Sequence, residues 1–267
     1  MTKPPPLFTI LLPVHRPPAL LPFAIETVLA QSMPSFDLFV VCDGAPSETV
    51  DCARSFSARD PRVQVFAFDK GERHGEAHRD AVLARSASRF VAQIGDDDLW
   101  FPDYLAELAL LLDRVDFGNL LNAELSPRGE VVVHLGDLAD PEIRRRMREG
   151  AWNFFGPTTA GYRLSAYRCL PSGWSPAPPD IWTDLHMWRK FLQRDDLSFG
   201  TRFAVQAVKL SAVHRQHMTL DERAAEHRAA AAQFAQREER STFQARVFQF
   251  VYRALVSALD PQPEAGP

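Results

Sequence analysis

The chain has 267 residues, 46% hydrophobic and 24% charged, the composition of a soluble globular protein long enough to bury a sizeable core. Its formal net charge of −4 lacks the basic excess of a phosphate-binding footprint and argues against a nucleic-acid partner. Cys42, Cys52 and Cys169 form no CxxC pair and no even-numbered framework, so they read as reduced thiols in a cytosolic protein. The opening MTKPPPLFTILLPVH lacks a signal-peptide layout, and no run approaches the roughly 18 apolar residues of a spanning helix. The expectation is a cytoplasmic protein, with peripheral membrane contact left open.

Phe8 to Val14 is an apolar run of strand length. Behind Pro17-Pro18, the segment Ala19 to Gln31 spaces its apolar residues as a helix. Phe36 to Cys42 reads as a second strand ending in Asp43-Gly44, Ser47 to Ser57 as a helix, and Arg62 to Phe68 as a third strand. Gly75 to Ala87 is a helix, Arg89 to Ile94 a fourth strand, and Asp103 to Asp113 another helix. Such alternation predicts an α/β fold with a mostly parallel sheet and helices on both faces. In these sheets ligands bind beyond the carboxyl ends of the strands, where Asp43 and Asp96-Asp97-Asp98 stand.

After residue 115 the alternation breaks down. Gly118 to Ala123 and Val131 to Leu135 read as strands joined by a turn, and Pro141 to Arg148 as a short basic helix. Residues 151–179, rich in Gly, Pro and aromatics, read as a loop region shaping a pocket. Asp184 to Leu192 returns to helix and Phe203 to Val213 to strand. Thr219 with Glu222 forms a capping box that opens a helical tail running to about Leu259. The tail places Phe243, Val247, Phe250, Val251, Ala254, Leu255, Ala258 and Leu259 on one face, fit first for the core, then for a homo-oligomer contact, then for a membrane surface.

Three adjacent carboxylates at a strand end repel one another unless a cation lies among them. A hard divalent cation suits one or two carboxylates together with substrate phosphates. A solvated, helix-capping role for the same residues is an equal alternative on spacing alone.

The wider text separates these readings. PVHRPPALLPFAIETVLAQSMPSFDLFVVCDG resembles the opening of the family 2 glycosyltransferases, which have the GT-A (Rossmann-like) fold. GEAHRDAVLARSASRFVAQIGDDDLWFPDYL is similar to their G-x-x-x-A-R-N helix followed by D-x-D-D-x-W-x-P-x-x-L. The resemblance covers residues 7 to about 113, becomes patchy to about 217 and is absent from the tail. It implies an inverting transferase of the hexosyltransferase type that takes a sugar from a nucleotide-diphosphate donor, with UDP expected. Expected acceptors are saccharides or glycolipids of bacterial polysaccharide biosynthesis, and the expected cofactor is Mn2+ or Mg2+. It also implies three parts: a nucleotide-sugar-binding half over 1–115, an acceptor-binding and catalytic half over 116–218, and a helical extension over 219–267.

By that resemblance Pro13, Val14 and His15 line the nucleotide pocket, Asp43 meets the base and Arg79 lies near the diphosphate. Asp96 and Asp97 join the nucleotide-sugar site, Asp96 towards the ribose, and Asp98 takes the metal. Gly95 stands at the family's first acidic position, a departure that leaves the order of ligands among the three aspartates open. His217, in a stretch similar to the family's Y-R-x-H motif, is the second expected metal ligand. Asp184 falls at the general-base position, with Thr183 in place of the family's Glu and Asp180 in reserve. Trp152, Phe154, Phe155, Tyr162, Trp174 and Trp182 are either sugar-stacking surfaces or core.

Two other enzyme classes fit less well. A nucleotidyltransferase or dehydrogenase needs a glycine-rich loop after the first strand, where this chain has Pro13 to Pro18 without glycine. A catalytically silent nucleotide-sugar-binding module is the alternative that Gly95 and Thr183 favour.

Overall fold

The computed structural model describes residues 4–259, with side chains through 257. β1 (Phe8–Val14), β2 (Phe36–Asp43), β3 (Val63–Phe68) and β4 (Phe90–Gln93) run parallel in the order β4-β1-β2-β3. Between them lie α1 (Leu21–Leu29), α2 (Ser47–Ser57) and α3 (Glu76–Leu83). Alternate residues of β1 and β2 feed two cores: Phe8, Ile10, Leu12 and Val40 pack on one face, Leu11, Phe39 and Val41 on the other. Burial on both faces is why these strands read as continuous apolar runs.

The sheet continues into the second half of the chain. β9 (Ala160–Arg163) pairs antiparallel with β4 and with β6 (Phe117–Leu120), and β10 (Phe199–Arg202) lies parallel to β6. Seven strands in the order β10-β6-β9-β4-β1-β2-β3 therefore share one sheet, and the two expected halves share its cores. α4 (Tyr104–Leu112), α5 (Pro141–Glu149), α6 (Leu164–Arg168) and α7 (Thr183–Leu192) pack around it.

A second sheet has the order β5-β11-β7-β8, with β5 (Asp98–Trp100), β7 (Asn122–Leu125), β8 (Val131–His134) and β11 (Ala207–Lys209). Two expected strands divide here. Gly118 to Ala123 splits at Leu121, sending β6 to the large sheet and β7 to the small one. Phe203 to Val213 contains only β11, followed by a 3-10 turn over Ala212–Arg215. Continuous apolar text hides such a change of sheet, because period two is kept while the hydrogen-bonding partner changes.

The tail is two helices, α8 (Leu220–Ala235) and α9 (Arg237–Leu259), and the capping box at Thr219–Glu222 is present. Phe243, Val247 and Val251 bury against the small sheet, whereas Phe250 and Leu255 are exposed. The side chains of Ala258 and Leu259 lie outside the described residues. Among the described residues no helix is long and apolar enough to cross a membrane.

Candidate functional site

Because β1, β2 and β4 are parallel, their carboxyl ends meet at one edge of the large sheet. A cleft of about 540 Å³ opens there. Its walls include Pro13, Val14, His15, Asp43, Arg79, Asp96 and Asp97, together with Asp184. One cavity thus gathers the residues expected to bind the nucleotide sugar and the residue expected to act as base.

Asp43 ends β2 and is 2% exposed. Its Oδ1 accepts the Gly71 N–H at 2.6 Å, and its Oδ2 pairs with Lys70. Burial opposes its charge, but Lys70, the Gly71 N–H and His78 outweigh that and hold the carboxyl below its usual range. The loop around it needs glycine at Gly75, where φ is +68° and a Cβ would stand 2.5 Å from the Asp43 Cγ. Arg73 also has positive φ, +55°, and lines the cleft.

Arg79, on α3, is buried with its guanidinium 4.7 Å over the Trp174 ring and donates to the His74 carbonyl at 2.7 Å. Trp174 is held in turn by Tyr162 and Tyr167. Glu76, one turn earlier, is fully buried. It accepts from the His74 N–H at 2.9 Å and the Thr183 hydroxyl at 2.7 Å, which ties the starts of α3 and α7 across the cleft.

The three aspartates have different surroundings. Arg16 Nη2 lies 2.7 Å from Asp96 Oδ1 and 3.3 Å from Asp97 Oδ2. Asp96 Oδ2 is buried without a hydrogen-bond partner among the described residues. Burial pushes the Asp96 carboxyl up to about 6, against the pull of Arg16. Burial also opposes charge on Asp97, but Arg16 and Arg223 outweigh it and keep that carboxyl low. Asp98 has both oxygens engaged inside the protein: Oδ2 accepts from the Thr158 hydroxyl and Oδ1 from the Leu210 N–H at 3.3 Å. Burial and the neighbouring Asp97 raise its carboxyl to about 7. Gly95 lets these groups converge, since a Cβ there would stand 3.2 Å from Asp97 Oδ1 and 3.1 Å from Asp98 Oδ2.

Neither expected metal ligand, Asp98 or His217, lines the main cleft. Asp98 is a buried joint between β5 and the Thr158 turn, and it borders a smaller cavity of about 300 Å³ beside the main cleft. His217 is exposed on the turn before α8 and lines neither cavity. Among the described residues no three His, Cys, Asp or Glu side chains are grouped to hold a metal by themselves. The chemistry still fits a cation that takes part of its coordination from phosphate: Asp96 Oδ2 is an unsatisfied anionic acceptor beside the cleft-lining carboxylate of Asp97.

Asp184 stands in the first turn of α7, its Oδ2 accepting from Asn153 at 3.0 Å and its Oδ1 from its neighbour's N–H at 2.8 Å. Burial raises its carboxyl above the usual range. Asp180 is exposed on the same rim. Of the six aromatics considered, Phe154, Phe155, Tyr162 and Trp174 are core, and Trp152 packs under Arg146. Trp182 lines the cleft mouth at 57% exposure.

Sequence reading gave no role to Arg16, Glu76, Lys209, Arg223 or His227. Arg16 was within sight, directly after the Pro13-Val14-His15 stretch, and Thr49 holds its carbonyl at 2.9 Å. Lys209 is near Asp98, Glu124 and Asp184; burial disfavours its charge, yet these carboxylates outweigh that and favour the ammonium.

The model for glycosyl transferase family 2 matches residues 9–170. TuaG of Bacillus subtilis, named for teichuronic acid biosynthesis, is 27% identical over 115 residues. That alignment covers 43% of this chain and 45% of TuaG, so the chain spans under half of that relative. The crystal structure of S. aureus TarS 1–349 superposes with a TM-score of 0.62 at 15% identity, covering 96% of this chain and 76% of that one; the same protein has been solved with UDP-GlcNAc. Mannosyltransferase PcManGT of Pyrobaculum calidifontis, solved with GDP-Man and Mn2+, superposes at 0.55 and 18% identity over 97% of this chain and 88% of its own. These likenesses establish the GT-A type of fold, and the family match over more than half of the chain establishes its membership: the protein belongs to glycosyl transferase family 2.

Proposed function

We propose that the protein transfers a sugar from a nucleoside-diphosphate donor, a UDP-sugar first, to a saccharide or glycolipid acceptor with inversion at the anomeric carbon. The observation that carries this reading is the shared cleft, in which a buried arginine, two aspartates at a strand end and a separate carboxylate on α7 meet. The nucleoside takes the side formed by Pro13, Val14, His15 and Asp43. Arg79, fixed over Trp174, faces the diphosphate.

Asp97 and Asp96, rather than Asp98, would hold a divalent cation, which would supply positive charge to the departing diphosphate. The chain's own residues do the rest. Asp184 accepts the proton of the attacking hydroxyl, and its raised pKa makes it a stronger base than an ordinary aspartate. Asn153 fixes the orientation of that carboxylate. Trp182, two residues before Asp184 and exposed at the mouth, offers a sugar ring an apolar face.

TarS solved with UDP-GlcNAc and PcManGT solved with GDP-Man and Mn2+ are consistent with this reading. The test is calorimetry with UDP, with and without Mn2+, followed by a donor-hydrolysis screen across nucleotide sugars, which needs no acceptor. Metal-dependent UDP binding with slow hydrolysis of one donor is expected. Tight UDP binding without turnover of any donor favours the silent module, and absence of UDP binding defeats the uridine assignment.

A further inference from the structure

α8 lies beyond the part of the chain matched by the family model, yet its first two turns reach the acidic motif. Arg223 and His227 are four residues apart and share one helix face with Ala230 and Phe234. The far end of that stripe packs in the apolar cluster of the small sheet. Its near end is polar, and both polar members converge on one residue. Arg223 Nη2 lies 2.9 Å from Asp97 Oδ2, and His227 Nε2 lies 2.9 Å from the Asp97 carbonyl oxygen. Nδ1 of the same ring lies 2.8 Å from the main-chain carbonyl oxygen of Arg223, which seats the imidazole against its own helix.

Both groups are held firmly. Arg223 is 8% exposed and His227 fully buried. The capping box at Thr219 and Glu222 fixes the start of the helix. Just ahead of it, buried Arg215 pairs with Glu226 on α8, with Nη2 to Oε1 at 2.7 Å. A swing of α8 would thus break several charge-assisted contacts together.

The contacts fall on Asp97 asymmetrically. Arg223 donates to Oδ2, with which Arg16 also forms an ion pair at 3.3 Å, and Oδ1 carries no hydrogen bond among the described residues. A carboxylate that ligates a metal through one oxygen is commonly oriented by a hydrogen bond on the other, and loss of such a partner weakens metal affinity.

We propose that Arg223 and His227 form a clamp that positions Asp97, so that the C-terminal helix is a working part of the cation–diphosphate site and not an appendage. This rests on the metal assignment made above. Arg223 and His227 act through Asp97 and are positioning residues. Arg223 fixes the carboxylate, and His227 fixes the peptide that carries it.

The test compares full-length wild type, R223A and R223K. Mn2+ binding in the presence of UDP is read from the electron paramagnetic resonance signal of free Mn2+, and UDP binding in EDTA is read by calorimetry. R223A is expected to bind Mn2+ about 10- to 100-fold more weakly, the cost usual for losing such a partner. R223K should recover part of the loss, and metal-free UDP affinity should stay within about threefold of wild type.

Unchanged or tighter Mn2+ binding in R223A overturns the clamp, since it makes the guanidinium a bystander or a competitor of the metal. Parallel loss of Mn2+ and metal-free UDP binding also overturns it, since that marks general collapse of the cleft. A wild type that binds UDP but takes up no Mn2+ refutes the metal reading itself and is recognised before any variant is made. Should R223A fail to fold, H227Q carries the same expectations through the main chain of Asp97.

Discussion

Replacing Gly75 by alanine strikes the nucleotide end of the cleft through one methyl group, and Gly129 provides its control. Both glycines have positive φ, +68° and +78°. Left-handed backbone costs an L-residue about 1–2 kcal/mol at either position. At Gly129 nothing lies within 4 Å of the added carbon, so G129A is expected to lose that amount and no more. At Gly75 the methyl would stand 2.5 Å from Asp43 Cγ and 2.7 Å from its Oδ2, so the carboxylate must move. Moving it breaks the hydrogen bond from Gly71, a contact to a charged group worth about 1.5–3 kcal/mol. The pairing with half-exposed Lys70 is left out because solvent screens it. G75A should therefore lose roughly 2.5–5 kcal/mol in all. At about 2–4 °C per kcal/mol for a chain of this size, its melting temperature should fall clearly further than that of G129A. Calorimetric titration with UDP should show about tenfold or greater weakening for G75A, equivalent to 1.4 kcal/mol, and none for G129A. Equal melting temperatures and equal UDP affinities for the two variants would refute the idea that Gly75 exists to seat Asp43.

Four other outcomes are expected. D184N should lower sugar transfer by roughly 10²- to 10⁴-fold while donor binding persists, and transfer near the wild-type rate would remove Asp184 as the base. In the wild type, transfer requires the Asp184 carboxylate and so should decline as pH falls through its raised pKa; a rate independent of pH down to the ordinary aspartate range contradicts the burial argument. W182A should raise the KM for a saccharide acceptor while donor hydrolysis stays within about twofold, and an unchanged KM places the acceptor elsewhere. T158V removes the hydroxyl donated to buried Asp98 and should cost about 1–3 kcal/mol in urea unfolding, with T158S recovering most of it.

The first half of the fold was legible because it is built from long, doubly buried strands and amphipathic helices whose periods are plain. The helix over Ser47–Ser57 was read to the residue. The small sheet was not, because β5 and β11 are three residues each and exist through their pairing. For the site, strand ends announced Asp43, Asp96 and Asp97, while the order of duties within the acidic triplet depended on packing. Nothing local distinguishes Asp98 from Asp97. Thr158 lies 60 residues from Asp98, and Arg223 lies 126 residues from Asp97. Text around Arg223 and His227 is that of an ordinary solvated helix, and only tertiary structure turns them inward.

The bond between Glu76 and Thr183 couples the chemistry of the two positions as well as the two helices. The Thr183 hydroxyl donates to the fully buried carboxylate of Glu76. A glutamate at 183 would press a second anion against the first in a place with little water to separate them. The two positions should therefore be non-additive: T183E is expected to destabilise the fold, and E76Q beside it to relieve part of that cost.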